Sequence, residues 1–227
     1  MNVKLRPGTR EDSEACGAID FEAFKAISSE HNFPWDFPSV EIATAAVSSM
    51  LANPGFYCVV AEADGKIVGS NFLDERNPIS GIGPISVDPA VQNRTIGRQL
   101  MRAVMERSAA RGFAGCRLVQ SAYHNRSLCL YTKLGFDTRE PLSKIFGQPP
   151  KLKFAGYEVR AATEADVEAV ISSARISTGT IATASCATRS NRAALEWSSI
   201  WDESPATQPT LPSLRTPSAK ATTTSRR

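Results

Sequence analysis

The segment from Ile85 to Met101, Ile-Ser-Val-Asp-Pro-Ala-Val-Gln-Asn-Arg-Thr-Ile-Gly-Arg-Gln-Leu-Met, holds the residue types and spacing with the clearest chemical use. It reads as an apolar strand, a turn at Pro89, a short polar loop, and a helix whose first turn carries Gly97 and Arg98. The opening N–H groups of such a helix have no internal partner and converge in front of it, where the macrodipole adds partial positive charge. The chemistry this predicts is anion binding. Dinucleotide-binding and P-loop proteins use the same physics, but this chain has neither the G-x-G-x-x-G nor the Gly-Lys-Ser/Thr fingerprint. The five cysteines (Cys16, Cys58, Cys116, Cys129, Cys186) lack C-x-x-C spacing, and Cys58, Cys116 and Cys129 fall in apolar segments. They are expected to be reduced core thiols. His31 and His124 are too few for a histidine metal centre, and no metal is expected.

The elements that must position this loop follow from pattern. Val3 to Leu5 is a short strand, and Thr9 and Asp12 precede an apolar-periodic helix through Ala15, Ile19, Phe21 and Phe24. His31 to Pro38 alternates aromatics with prolines and must be a loop, either a lid over a pocket or a plug for the core. Ser39 caps a second helix to about Leu51, stopped by Asn53-Pro54-Gly55. Phe56 to Glu62 and Lys66 to Leu73 form a hairpin about Asp64-Gly65, and Ile79 to Val87 returns as a third strand. A helix from about Thr95 to Arg111 then crosses over to a parallel strand at Arg117 to Gln120. Asn125 begins a short helix closed by Gly135, and Phe136 opens a last strand.

Taken with the later segment Asn125-Arg-Ser-Leu-Cys-Leu-Tyr-Thr-Lys-Leu-Gly-Phe136, the sequence resembles the GNAT superfamily of acyl-CoA-dependent N-acyltransferases. Gln92-Asn93-Arg94-Thr95-Ile96-Gly97 is similar to that family's pyrophosphate loop, and Asn125, Ser127, Tyr131 and Leu134-Gly135-Phe136 are similar to its second acyl-CoA motif. The resemblance covers about Met1 to Gly147 and implies an α/β fold, a mixed, mostly antiparallel sheet with helices on both faces. It implies acetyl-CoA or another acyl-CoA as co-substrate, held by Val87, Gln92, Asn93, Arg94, Thr95, Ile96, Gly97, Arg98, Asn125 and Ser127. It also implies a primary amine on a small molecule or peptide as acceptor. Tyr131 matches the family's general acid: a phenol near ~10 can protonate a thiolate whose conjugate acid is near ~8.5. The Val87 amide is the implied oxyanion donor. For the base, Glu75, Asp74 and Asp88 lie at strand ends near the expected site; Glu75 is favoured, with a merely solvated carboxylate as the alternative. Thr95 departs from the pattern, standing where the family has a glycine, and is expected to weaken binding by about 1 kcal/mol of backbone strain.

Beyond this domain (1–147), residues 148–156 form a linker by composition. Arg6, Thr9, Asp12, Glu14 and Ala15 then recur as Arg160, Thr163, Asp166, Glu168 and Ala169, so that 157–171 resembles the start of an incomplete second GNAT repeat. Residues 172–227 are more than one-third Ser and Thr and read as a disordered tail. The alternative is out-of-frame translation, because a shifted frame over Ser177 to Asn191 can encode a better capped helix.

A net charge of +3 on 227 residues is too small to argue for nucleic acid or an anionic membrane, where a clustered basic face is expected, and neither is expected as a partner. Met1 to Ala15 is broken by charges and no apolar run reaches membrane-spanning length, so a cytoplasmic location is expected. A homodimer is compatible with these features. Two competing functions remain open: a non-catalytic acyl-CoA-binding or regulatory module, and an interaction protein using the Phe33 to Phe37 loop.

Overall fold

A computed structural model of the chain describes residues 2–143, 155, 156, 160, 162–170 and 172. Its frame is one five-stranded sheet in the order β1-β2-β3-β4-β5, formed by Val3–Pro7, Phe56–Ala63, Lys66–Asp74, Ser80–Val87 and Cys116–Arg117. The first three pairings are antiparallel and β4–β5 is parallel. This is the mixed sheet expected, and short connections account for it: Asp64 and Gly65 turn the β2–β3 hairpin at positive φ (51° and 74°), the backbone that Asp-Gly favours.

Helices cover both faces. On one face α1 (Ser13–Glu30) and α2 (Val40–Ala52) bury Cys16, Val47 and Met50 against Cys58, Val60 and Phe72 of the sheet. They cross closely because residue 17 is glycine; a Cβ there would lie 2.4 Å from Thr44. On the other face α3 (Ile96–Ala110) buries Ile96, Leu100, Met101 and Val104 against Val59, Ala61 and Leu73. The short helix α4 (Asn125–Lys133) adds Tyr131 to that cluster. Each such apolar side chain contributes about 1.5–3 kcal/mol on burial, so the two clusters clamp the sheet from both sides.

The edge of the sheet differs from expectation in a way that matters for function. Strand β5 is two residues long and pairs only Ser80 with Cys116 and Gly81 with Arg117; Leu118 to Gln120 leave the sheet. The cause lies in β4. Asn71 faces Ile85 while Leu73 faces Ile82, so Gly83 and Pro84 together oppose the single residue Phe72 as a bulge. Pro84 has no N–H to offer a neighbour, and the β4–β5 ladder stops short of it. The expected last strand at Phe136 is likewise absent from the described residues; Phe136 instead packs against Tyr131, ring centres 6.1 Å apart. The loop at His31 to Pro38 is not a core plug. Trp35 and Phe37 lie edge-on to Phe21 and Phe24 of α1, and Phe33 stacks on Tyr123 at 4.4 Å.

Cys16 and Cys58 are buried, as expected of core thiols, and burial pushes the Cys16 thiol up to about 12. Cys129 corrects the expectation: it is exposed, because the first two turns of α4 show one side to solvent. At the far end, Arg160, Thr163 and Asp166 repeat a local structure seen at the start. Arg6 donates to both oxygens of Asp12 (2.8 and 2.9 Å) while the Thr9 N–H donates to the same carboxylate. Arg160 and the Thr163 N–H treat Asp166 in the same way, at 2.7 and 2.8 Å. The expected linker, apart from residues 155 and 156, and the tail beyond residue 172 lie outside the described residues.

Candidate active site

Where β4 and the chain after β5 part, a cleft of about 770 Å³ opens between the edge of β4, the start of α3, one side of α4 and the C-terminal half of α1. Three features give it chemical character.

The first is the N-terminus of α3. Its first intrahelical bond is from the Gln99 N–H to the Thr95 carbonyl (3.1 Å), so the Ile96, Gly97 and Arg98 N–H groups have no helical acceptor. Thr95, the N-cap, makes no side-chain cap and sits in the left-handed region at φ 64°, ψ 1°. That is the backbone a glycine adopts freely and a β-branched residue adopts at a cost of about 1–2 kcal/mol. Gly97 adds a second sign of fit. A Cβ there would point between Leu130 and Val87, both cleft residues, no nearer than 3.7 Å. No protein atom requires glycine at this position, whereas an anionic group approaching the helix would. Arg98, Arg126 and Lys133 also line the cleft.

The second is the open backbone edge of β4. The Asp88 N–H is spent on the Val68 carbonyl across the sheet (3.0 Å), and alternation along an antiparallel strand therefore turns the Val87 N–H and C=O toward the cleft. The Val87 carbonyl accepts from Gln92 Nε2 (2.9 Å), and Gln92 Oε1 accepts from Arg126 (2.6 Å). Gln92 thus braces the end of β4 to α4. The Val87 N–H is left facing the cleft.

The third is α4. Tyr131 is 8% exposed, and burial raises its phenol above the ordinary range while the Ser127 hydroxyl, one turn earlier on the same face, opposes that rise. Tyr131 is consequently a neutral phenol at physiological pH. Ser127 Oγ also lies 2.7 Å from His124 Nδ1, and the His124 imidazole is held below its ordinary value, first by burial and then by the positive charge of Arg126 and His31. Sequence reasoning weighed His124 only as a metal ligand. Its place three residues before Ser127 and seven before Tyr131 was the available signal, since those spacings share a helix face.

The cleft brings together most of the residues expected from sequence: Val87, Gln92, Asn93, Thr95, Ile96, Gly97, Arg98, Ser127 and Tyr131. Arg94 lies on the other side of the loop, in a depression of about 360 Å³ shared with Asn2, Val3 and Gln99. Asn125 is exposed on the first turn of α4 and is not part of the cleft wall. Glu75 is elsewhere altogether. Its carboxylate, 8% exposed, accepts from Arg107 Nε and Nη2 (2.6 and 3.1 Å) with Arg111 at 3.7 Å, anchoring the end of β3 to the C-terminal half of α3. Asp74 is paired with Arg76 (2.8 Å), and the Asp88 carboxylate caps the Ala90 N–H (2.9 Å). Among the described residues the carboxylate that does line the cleft is Glu30, at the C-terminal end of α1. No group of three His, Cys, Asp or Glu able to hold a metal occurs among the described residues, and no helix there is long and apolar enough to cross a membrane.

Residues 54–138 match the acetyltransferase (GNAT) domain model. The N-alpha-acetyltransferase RimI of Mycobacterium tuberculosis is 30% identical over 132 residues, covering 56% of this chain and 74% of that protein. A mycothiol acetyltransferase of Nocardia farcinica is 36% identical over 85 residues, 36% of this chain; the chain spans only 28% of that relative. Among solved structures, the PaiA N-acetyltransferase of Thermoplasma acidophilum in complex with coenzyme A shares the fold with a TM-score of 0.51 at 18% identity, over 62% of this chain and 93% of that one.

Proposed function

Because the chain belongs to the GNAT acetyltransferase family, we propose that it moves an acetyl or other short acyl group from acyl-coenzyme A to a primary amine by direct attack. The observation that carries this reading is the union, in one cleft, of an uncapped helix N-terminus, an unpaired strand edge and a buried neutral phenol. The N–H groups of Ile96 to Arg98 would hold the diphosphate, each contributing about 1.5–3 kcal/mol toward an anionic oxygen. The open edge of β4 would run beside the pantetheine arm. The Val87 N–H faces the place where negative charge would develop on the acyl oxygen. Tyr131 would protonate the departing thiolate, and Ser127, one turn earlier on the same face, favours the phenolate left behind.

The acceptor end of the cleft is walled by Ala23, Phe24, Ala26 and Ile27 of α1 and ends at Glu30. A carboxylate at a helix C-terminus adds to the negative end of the macrodipole, so this end favours a cationic amine, on a small molecule or a peptide. One relative is named as an N-alpha-acetyltransferase, which makes peptide α-amines a natural first set of acceptors beside small polyamines and amino sugars.

Calorimetric titration with acetyl-CoA and thiol release with a panel of such amines test the proposal. Binding with amine-dependent thiol release is expected. Binding without release would replace the enzyme with an acyl-CoA-sensing module, and no binding would leave an interaction protein. Tyr131→Phe is expected to lower kcat by roughly 10²–10⁴ while acetyl-CoA still binds. An unchanged kcat would refute the acid assignment.

A further inference from the structure

The Val87 carbonyl accepts from Gln92 Nε2 (2.9 Å), and Gln92 Oε1 accepts from Arg126 Nη2 (2.6 Å); all three residues line the cleft. A guanidinium can only donate and a carbonyl can only accept, so a single orientation of the Gln92 amide satisfies both neighbours, and Arg126 selects it. The N–H of the same Val87–Asp88 peptide donates to the Val68 carbonyl (3.0 Å). That peptide is therefore held at both of its polar atoms, by β3 on one side and by Gln92 on the other. A neighbouring strand would ordinarily hold the second side, but the β4–β5 ladder stops at Gly81 and Arg117. Nothing local to α4 calls for an arginine at position 126, because it is the second residue of the helix, where a cation opposes the macrodipole.

We propose that Arg126 is a positioning residue for acyl transfer, acting through Gln92 to keep the Val87 N–H aimed at the acyl oxygen. The inference rests on the N-acyltransferase reading above. As the amine nitrogen bonds the acyl carbon, the carbonyl π pair moves onto oxygen. The pair returns as the carbon–sulfur bond breaks, and the thiolate leaves with the Tyr131 proton. The surplus proton on nitrogen passes to water, and water restores the phenol. Arg126, Gln92 and Val87 exchange no proton or electron in these steps.

Their part is the charge on oxygen, which a fixed N–H meets without reorganising. Two rotatable bonds of Val87 join the pinned peptide to the one that carries its N–H, so slack in the first is passed to the second. Gln92 takes the place of the missing strand, and Arg126 keeps Gln92 in it.

The test is a double-mutant cycle on the full chain, with kcat read at saturating acetyl-CoA and amine, acetyl-CoA binding by calorimetry, and the melting temperature of every variant. Arg126→Met and Gln92→Met keep an unbranched stem and remove the hydrogen bonds. Each should lower kcat by about 10-fold or more, with the Kd for acetyl-CoA within about 2-fold of the wild type. The double variant should lose no more than Gln92→Met alone, because both changes break the same strut. Gln92→Glu keeps a partner for Arg126 but has no donor for the Val87 carbonyl, so it should lose as much kcat as Gln92→Met at an unchanged melting temperature. A kcat within about 2-fold of the wild type in Arg126→Met or in Gln92→Glu, or losses that multiply in the double variant, would overturn the assignment alone. So would weaker acetyl-CoA binding at unchanged kcat in Arg126→Met, which would make Arg126 a direct contact to the co-substrate. A wild type that binds acetyl-CoA yet acylates no amine would overturn the assignment together with the reading it rests on.

Discussion

Asp20 offers the sharpest quantitative test of the packing between α1 and the sheet. Its side chain is completely buried; Oδ1 accepts from the Ser86 hydroxyl, while Oδ2 has no partner. Desolvation raises the carboxyl from 3.8 to about 7, with the Ser86 bond opposing. A group whose folded pKa is raised contributes stability in its protonated form, and that contribution is lost as pH climbs through the folded value. Between pH 5 and 7 the unfolded chain has Asp20 ionised while the folded protein still holds the proton. Unfolding then releases close to one proton, so stability falls by up to about 1.4 kcal/mol per pH unit, or about 2 kcal/mol across the window. Asp20→Asn keeps an acceptor for Ser86 and cannot titrate. Urea unfolding of both proteins at pH 5, 6, 7 and 8 isolates the effect, because every other titrating group cancels in the difference between them. The variant should gain about 2 kcal/mol on the wild type from pH 5 to pH 7 and little beyond pH 8. Parallel curves would refute the argument, and would mean that water or a partner group reaches Oδ2 and keeps the carboxylate solvated.

Other contacts in the fold carry expectations of the same kind. Thr95→Gly removes a β-branched residue from φ 64° and should stabilise the fold by up to about 1 kcal/mol after the entropy of glycine is subtracted, while tightening acetyl-CoA binding. A lower melting temperature and weaker binding would show that the threonine is a needed contact. Glu75→Gln strands Arg107 and Arg111 at the end of β3 and should cost about 1–3 kcal/mol in urea unfolding, discounted because Arg107 is itself 37% exposed. A loss of kcat beyond about 100-fold in a folded Glu75→Gln protein would instead return Glu75 to the role of base. Of Cys16, Cys58, Cys116 and Cys129, only Cys129 is exposed and in the cleft, so iodoacetamide should label it first and acetyl-CoA should slow that labelling. Equal rates with and without acetyl-CoA, read by peptide mass mapping, would place the cofactor away from α4.

The two motifs were legible because each depends on local backbone chemistry. Residues 92–98 had to be a loop entering a helix, and Tyr131 had to share a face with Ser127, whatever lay around them. The hairpin at Asp64-Gly65 and the stop at Asn53-Pro54-Gly55 were legible for the same reason, since positive φ and a missing N–H act within a few residues. The direction in which Glu75 turns was not legible, because strand-end position does not say which way a carboxylate points. Arg107, thirty-two residues later, decides that.

What the sequence by itself determined is the order of elements, a helix N-terminus with free N–H groups, and the presence of a phenol on the following short helix. These are matters of period, capping and spacing, all short-range. Tertiary structure alone decided where the sheet opens. The bulge at Gly83 and Pro84 is visible only against Phe72 of β3, and it ends the β4–β5 ladder after Gly81 and Arg117. It likewise decided that Glu30, His124 and Tyr131 share one cleft, and that Asp20 is closed off from the surface, because burial and encounter between distant segments are properties of the packed chain.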